Sequence, residues 1–221
     1  MPVLENGFEL IDEFLSQGEL QSFRKELSSV SFPSKVGGIR NAEKKFSSIG
    51  AFALSESFLC KVGVYLTGIP RLVRAILFNK TEESNWLVAW HQDRTVAVSK
   101  KFEQFGWGPW SFKDNTDHVQ PPLSVLNQMV TIRIHLDDAS VDSGCLKIFP
   151  KSHDLGLLGQ SEIRQYVVDH SPVICEAKAG SALVMRPHIL HSSSKAANPS
   201  QRRVIHLEYS SYELPQGVTW A

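Results

Sequence analysis

Apolar positions in the first part of the chain recur at helical intervals. Leu20, Phe23 and Leu27 make one stripe, and Ser16 and Glu19 stand ahead of it at the S-x-x-E spacing of a capping box. Phe58, Leu59, Val62 and Leu66 make a second stripe, predicting a helix from about Ser57 to Leu66 that Pro70 limits. Between them Ser31 to Ile39, with Pro33, Gly37 and Gly38, predicts a loop. From Arg71 the texture changes to short β-branched runs punctuated by Gly, Pro, Asn and Asp. These runs predict strands near 72–78, 86–98, 128–136, 145–149, 172–175, 181–185 and 202–210.

No helix-length stripe separates the strands from 128 onward. That excludes a doubly wound parallel sheet and predicts an antiparallel sandwich or jelly roll. Phe102 to Pro122 stands apart, with two tryptophans, three prolines and little periodicity. It is expected to be a long structureless connection of the kind that carries function.

The length of 221 residues suits one domain. Balanced charge, 23 basic against 23 acidic residues, and the lack of a basic run exclude a phosphate-tracking surface, so nucleic acid is not an expected partner. No apolar run suits a membrane span, and MPVLENGFEL is not built like a signal peptide, so a cytoplasmic location is expected. Three widely spaced cysteines, Cys60, Cys145 and Cys175, fit reduced thiols rather than disulfides or a cysteine-ligated metal.

Within AWHQDRTVAV, His91 and Asp93 are two residues apart in a predicted strand, so they share a face and Gln92 points the other way. An imidazole and a carboxylate on one face are two thirds of the 2-His-1-carboxylate set that holds non-haem Fe(II). Either His188 or His191, both just after the strand at Ser181–Met185, can supply the third ligand.

Three motifs occur in order: W-H-Q-D, then S-G-C-L-K-I-F-P-K-S-H, then H-S-S-S followed by N-P-S-Q-R-R. Together they resemble the phytanoyl-CoA dioxygenase family, Fe(II)- and 2-oxoglutarate-dependent oxygenases on a double-stranded β-helix. Ser143 to His153 is similar to that family's NGxLxxxPGSH element, with Ser143 and Lys151 as departures. The resemblance implies one catalytic domain over 1–221, helical to about 70 and jelly-roll from about 71 to 214. It implies His91, Asp93 and His191 as iron ligands and Arg202, eleven residues after His191, on the distal carboxylate of 2-oxoglutarate. Ser193 is expected to assist there and Thr131 to contact the co-substrate. The implied reaction uses O2, releases succinate and CO2, and hydroxylates a small organic metabolite. A zinc hydrolase on the same ligands, or an inactive relative, is the alternative class.

The remaining residues divide into packing and pocket readings. Arg203 should alternate away from Arg202, His135 and His206 should be satisfied sheet histidines, and Trp86 and Trp90 should pack on the sheet. Trp107 and Trp110 are expected as pocket walls, with Lys113, His118 and Gln120 as polar substrate contacts on the same segment. Arg133 shares the face of Thr131 and could meet an anionic substrate.

Overall fold

The computed structural model describes residues 2–30, 32, 38–198 and 201–221. The chain opens with α1 (Pro2–Asn6), strand β1 (Phe8–Ile11) and α2 (Gln17–Glu26). The capping box forms as its spacing predicts: the Ser16 hydroxyl accepts from the Glu19 N–H at 3.2 Å and the Glu19 carboxylate accepts from the Ser16 N–H at 2.8 Å. β2 (Gly38–Arg40), α3 (Ala42–Lys45), α4 (Ser47–Ala53) and α5 (Glu56–Gly63) follow. Residues 31 and 33–37 of the expected loop lie outside the described residues.

The rest of the chain is mainly strand: β3 (Arg71–Lys80), β4 (Val88–His91), β5 (Val96–Val98), β6 (Trp110–Lys113) and β7 (Thr116–Val119). After α6 (Leu123–Leu126) come β8 (Met129–His135), β9 (Leu146–Ile148), α7 (Gln160–Asp169), β10 (Val173–Cys175), β11 (Ala182–Met185), β12 (His191–Ser193) and β13 (Arg202–Ser210). A six-stranded sheet runs in the order β1-β11-β8-β13-β3-β2 and a four-stranded sheet β10-β9-β12-β4. The strands pair antiparallel and the two sheets enclose a cavity, the jelly-roll form of a double-stranded β-helix.

Strand alternation assigns each side chain to a layer. On β13, Ile205, Leu207 and Tyr209 join Phe23, Leu27, Ile49 and Phe58 in the core beneath the helices, whereas Arg202, Val204 and His206 line the cavity. Helices this short are marginal alone. Each fully buried Leu, Ile or Phe contributes about 1.5–3 kcal/mol, so burial against the large sheet holds them in place.

Four features depart from the sequence expectations. The N-terminal part is not wholly helical, because β1 and β2 extend the large sheet at its two edges; FELI and GIR carry too little alternation to be read as strands. The predicted strand 86–98 is two strands in different sheets, broken where the side chain of Gln92 leaves the ladder for loop partners. The segment 102–122 is not structureless: β6 and β7 form a hairpin around Asp114 and Asn115, at φ +49° and +58°, residues that tolerate this tight turn. A helix, α7, does interrupt the later strands. Only Ile163 of it is buried, with Tyr166 and Val167 packed partly against Phe149 and Leu190, so its apolar stripe is narrow.

Candidate metal centre

β12 and β4 are neighbours, and their register sets His191 directly opposite His91. The two rings lie 4.2 Å apart between centroids. Nδ1 of His91 is 2.9 Å from the Ala89 carbonyl oxygen, and Nδ1 of His191 is 2.8 Å from that of Ile189. A carbonyl only accepts, so in the neutral ring each Nδ1 carries the hydrogen and each Nε2 presents a lone pair. Both Nε2 atoms face Asp93, each 3.6 Å from one of its carboxylate oxygens. Donor atoms of the three residues all lie within 4.8 Å of one another.

Asp93 lies two residues past the end of β4, and its neighbour fixes its aim. Gln92 donates to the carbonyls of Gly156 at 2.7 Å and His188 at 2.8 Å, and its side-chain oxygen accepts from the Leu158 N–H at 2.9 Å. The Asp93 N–H adds a bond to the Pro187 carbonyl at 3.0 Å. Burial works against the charge of Asp93, but the hydrogen bond to His91 and the charges of His191 and His91 hold its carboxyl well below the usual carboxylate range. Burial pushes His191 down to about 4, with Asp93 opposing it. At His91, burial is outweighed by Asp93 and the ring is raised. Two imidazole lone pairs and one carboxylate on one side of a point fit a divalent metal with its other positions open.

Asp93, His206 and Glu208 form a second close group. Its donor atoms are already committed. His206 Nε2 is 2.9 Å from the Glu208 carboxylate, Arg74 donates to the same oxygen at 2.7 Å, and Arg133 donates to His206 Nδ1 at 2.8 Å. Two guanidinium groups stand where another cation would have to approach, so we read these residues as a hydrogen-bonded wall rather than a metal site.

That wall belongs to a cavity of about 190 Å³ lined by residues of both sheets. Near the start of β13, Arg202 stands opposite Lys80 of β3, and both are buried. The Lys80 ammonium donates to the Ser193 hydroxyl at 2.8 Å and the Ser194 carbonyl at 2.5 Å, and Ser193 donates to the Gly144 carbonyl at 2.8 Å. Gly144 has φ +71°, and a Cβ there would collide with the Ser194 carbonyl oxygen. Nε of Arg202 is buried without a partner. Burial lowers Lys80 to about 8, with the charges of Arg202 and Arg133 adding to the effect. Two buried cations and an unpartnered guanidinium nitrogen in one place have the chemistry to receive an anion.

The other expected residues fall on both sides of the cavity wall. Arg133 lines the cavity. Thr131 is buried opposite Glu208, with its hydroxyl unpartnered, and does not reach the cavity lining. Trp107 and Trp110 pack on Phe102 at 4.8 and 5.4 Å between ring centroids, in a cluster with Val96, Val119 and Trp220 away from the cavity. Lys113 is exposed, and Gln120 is tied through its backbone to Gly108 and Pro109. His118 is buried; burial, then the charges of Arg74, Lys113 and Arg40, lower it to about 4. None of these three lines the cavity. The reason is the hairpin, which pairs with β5 in a separate three-stranded sheet and packs Trp110 and Val119 against Val125, Leu126 and Trp220 rather than over the metal ligands.

Arg203 turns away from the cavity and grips Asp137 through two 2.9 Å bonds. His206 is satisfied, while both ring nitrogens of His135 lack partners. Trp90 packs on Phe149 at 4.4 Å, but Trp86 lines the cavity, with the Lys80 ammonium 5.5 Å from its ring. Sequence reasoning missed Lys80, Arg74 and Glu208. The available signal was parity: Arg74 and Lys80 in RLVRAILFNK, and His206 and Glu208 in VIHLEYS, are polar residues of like parity inside apolar strands.

The chain belongs to the phytanoyl-CoA dioxygenase (PhyH) family, whose model matches residues 3–204. No curated protein matches it. Among solved structures it is similar to HygX from Streptomyces hygroscopicus with nickel and 2-oxoglutarate bound, at TM-score 0.69 and 16% identity over 97% of this chain and 86% of that one. The epimerase SnoN from nogalamycin biosynthesis, in complex with Fe3+, alpha ketoglutarate and nogalamycin RO, gives TM-score 0.68 and 18% identity over 99% and 83% of the two chains. The alpha ketoglutarate-dependent carbocyclase SnoK, from the same biosynthesis, gives 0.66 and 15% over 99% and 83%. At these identities the likeness speaks for the fold, and both the family and the double-stranded β-helix implied by the motifs are found. No helix among the described residues is long and apolar enough to cross a membrane.

Proposed function

We propose that this chain is an Fe(II)- and 2-oxoglutarate-dependent dioxygenase that hydroxylates a small organic metabolite. The observation that carries the reading is the convergence of His91, Asp93 and His191 in the same cavity as the unpaired, buried Arg202. His91, Asp93 and His191 would hold the metal. Arg202 would take the distal carboxylate of 2-oxoglutarate in a bidentate grip, with Lys80, oriented by Ser193, as a second cation. When bound, iron, 2-oxoglutarate and O2 supply a strong oxidant as 2-oxoglutarate is converted to succinate and CO2. The protein's share is positional. Gln92 fixes the turn that aims Asp93, the two backbone carbonyls fix the histidine tautomers, and Ile76, Phe78, Trp86 and Leu146 keep the reacting carbon in an apolar setting.

A zinc hydrolase would use the same three ligands but leaves Arg202 and Lys80 without a purpose. Epimerase and carbocyclase outcomes in SnoN and SnoK share the co-substrate, so they differ from hydroxylation only in the fate of the substrate. The test is anaerobic addition of Fe(II) and 2-oxoglutarate, then O2. A visible metal-to-ligand band and 2-oxoglutarate-dependent succinate are expected; absence of both would sink the reading.

A further inference from the structure

We infer that the substrate carries an anionic group, a carboxylate or a phosphate, and that Arg133 receives it. The inference rests on the oxygenase reading above and adds the substrate's charge to it.

Four cationic side chains line the cavity: Arg74, Lys80, Arg133 and Arg202. Arg74 is neutralised by Glu208 at 2.7 Å. The remaining carboxylate of the lining, Asp93, would be taken up by the metal. Among the described residues Lys80, Arg133 and Arg202 make no ion pair, although each is at most 8% exposed. Burying a cation without a counter-charge is costly, and three in one cavity point to anionic ligands.

2-Oxoglutarate accounts for part of this charge. If one of its carboxylates were on the metal, the other would be matched by the Arg202–Lys80 end. Arg133 is anchored elsewhere on the sheet. Its Cα partner on β13 is His206, four residues beyond Arg202, so the two backbone anchors lie about 14 Å apart at roughly 3.4 Å per residue. The guanidinium rests over Phe78, with its central carbon 5.5 Å from the ring centroid. Its one hydrogen-bonded partner is the Nδ1 of His206 at 2.8 Å, and its Nε is buried without any. Through the 2.9 Å bond from His206 to Glu208, this partner aims the guanidinium, while Asp93 and Glu208 act on its charge only from a distance and without an ion pair. Burial, then the charge of Arg202, pull Arg133 down to about 10, so it stays charged at neutral pH. A fixed, charged, half-satisfied guanidinium in an apolar cavity recognises a carboxylate or phosphate.

The experiment uses the full chain loaded with Ni(II) and 2-oxoglutarate. Butyrate, methyl phosphate and the neutral butyramide, close in size, are each titrated by calorimetry. At least one of the two anions is expected to bind about tenfold or more tighter than the amide. Arg133→Gln should abolish that preference and Arg133→Lys should retain it, which separates lost charge from lost fold. Equal affinities, no binding by any of the three, or a preference that survives Arg133→Gln would overturn the inference. Failure of the wild type to take up Ni(II) and 2-oxoglutarate in the first titration would instead overturn the oxygenase reading beneath it.

Discussion

Arg202 and Lys80 stand directly opposite each other across β13 and β3, two buried cations with no carboxylate paired to either among the described residues. Like charges at a cross-strand pair are destabilising. The molecule tolerates the cost with hydrogen bonds from Lys80 to Ser193 and Ser194 and leaves Arg202 Nε unsatisfied. A dicarboxylate bound there would relieve the repulsion and supply acceptors to Arg202.

The first prediction contrasts neighbours. Arg202→Lys replaces a two-pronged grip with a point charge. Loss of one charge-assisted contact, about 1.5–3 kcal/mol, should weaken 2-oxoglutarate binding by roughly ten- to more than a hundredfold. Arg203→Lys should leave that affinity near wild type but lower the melting temperature, because Arg203 holds Asp137 through paired 2.9 Å bonds on the other side of the sheet. Calorimetry and a thermal melt on both variants decide it. Equal losses of affinity would mean that the two side chains share one role.

The second prediction is a pH dependence. Lys80 is depressed to about 8, so its charge is present below that value and is lost as pH rises through it. Bound 2-oxoglutarate favours the charged form. Affinity for the Ni(II)-loaded protein should therefore be level up to about pH 8 and decline above it. Lys80→Met should bind more weakly at pH 7 and show no such decline. A flat wild-type profile to pH 9.5 would remove Lys80 from the anion site.

Legibility in the sequence divides along physical lines. The H-x-D pair, the choice of His191 over His188, and Arg202 all rest on order along the chain and on the family motifs, and the structure brings these four residues to one cavity. Local signals held too: the Ser16–Glu19 capping box and the strand at 202–210 both form where their residues point to them. The losses are long-range. β1 and β2 exist through pairing with β11 and β3, more than thirty residues away in sequence, and their own residues scarcely ask for it. The turn at Asp114–Asn115 was legible as turn chemistry but was hidden by a segment rich in proline and tryptophan. Lys80 and Glu208 looked like ordinary strand residues because their importance depends on which side of β3 and β13 faces the metal.

The third prediction concerns metal uptake. His91→Ala, Asp93→Ala and His191→Ala should each lower Ni(II) or Fe(II) affinity beyond measurement at micromolar protein while leaving the chain folded. His188→Ala should retain the metal, because its ring is buried beside His153, 6.1 Å between centroids, and only its backbone carbonyl serves the site by accepting from Gln92. Metal titration with a circular dichroism control reads both. Retained affinity in His191→Ala and loss in His188→Ala would invert the assignment.

The last prediction concerns Trp107 and Trp110. Both sit half-buried against Phe102, and Trp107 also lies 6.0 Å from Tyr212 between ring centroids, so removing them opens the cluster under the β6–β7 hairpin. A fully buried aromatic ring truncated to alanine costs about 3–5 kcal/mol, so each of these half-buried rings should cost about 2 kcal/mol. The shared contact with Phe102 makes the pair non-additive, and the double variant should lose less than the two single losses together. Metal and 2-oxoglutarate binding should persist below the lowered melting temperature, since neither ring lines the cavity. If instead the melt were unchanged and only substrate turnover fell, the hairpin would have to swing over the cavity during the reaction, and these tryptophans would be substrate contacts rather than packing.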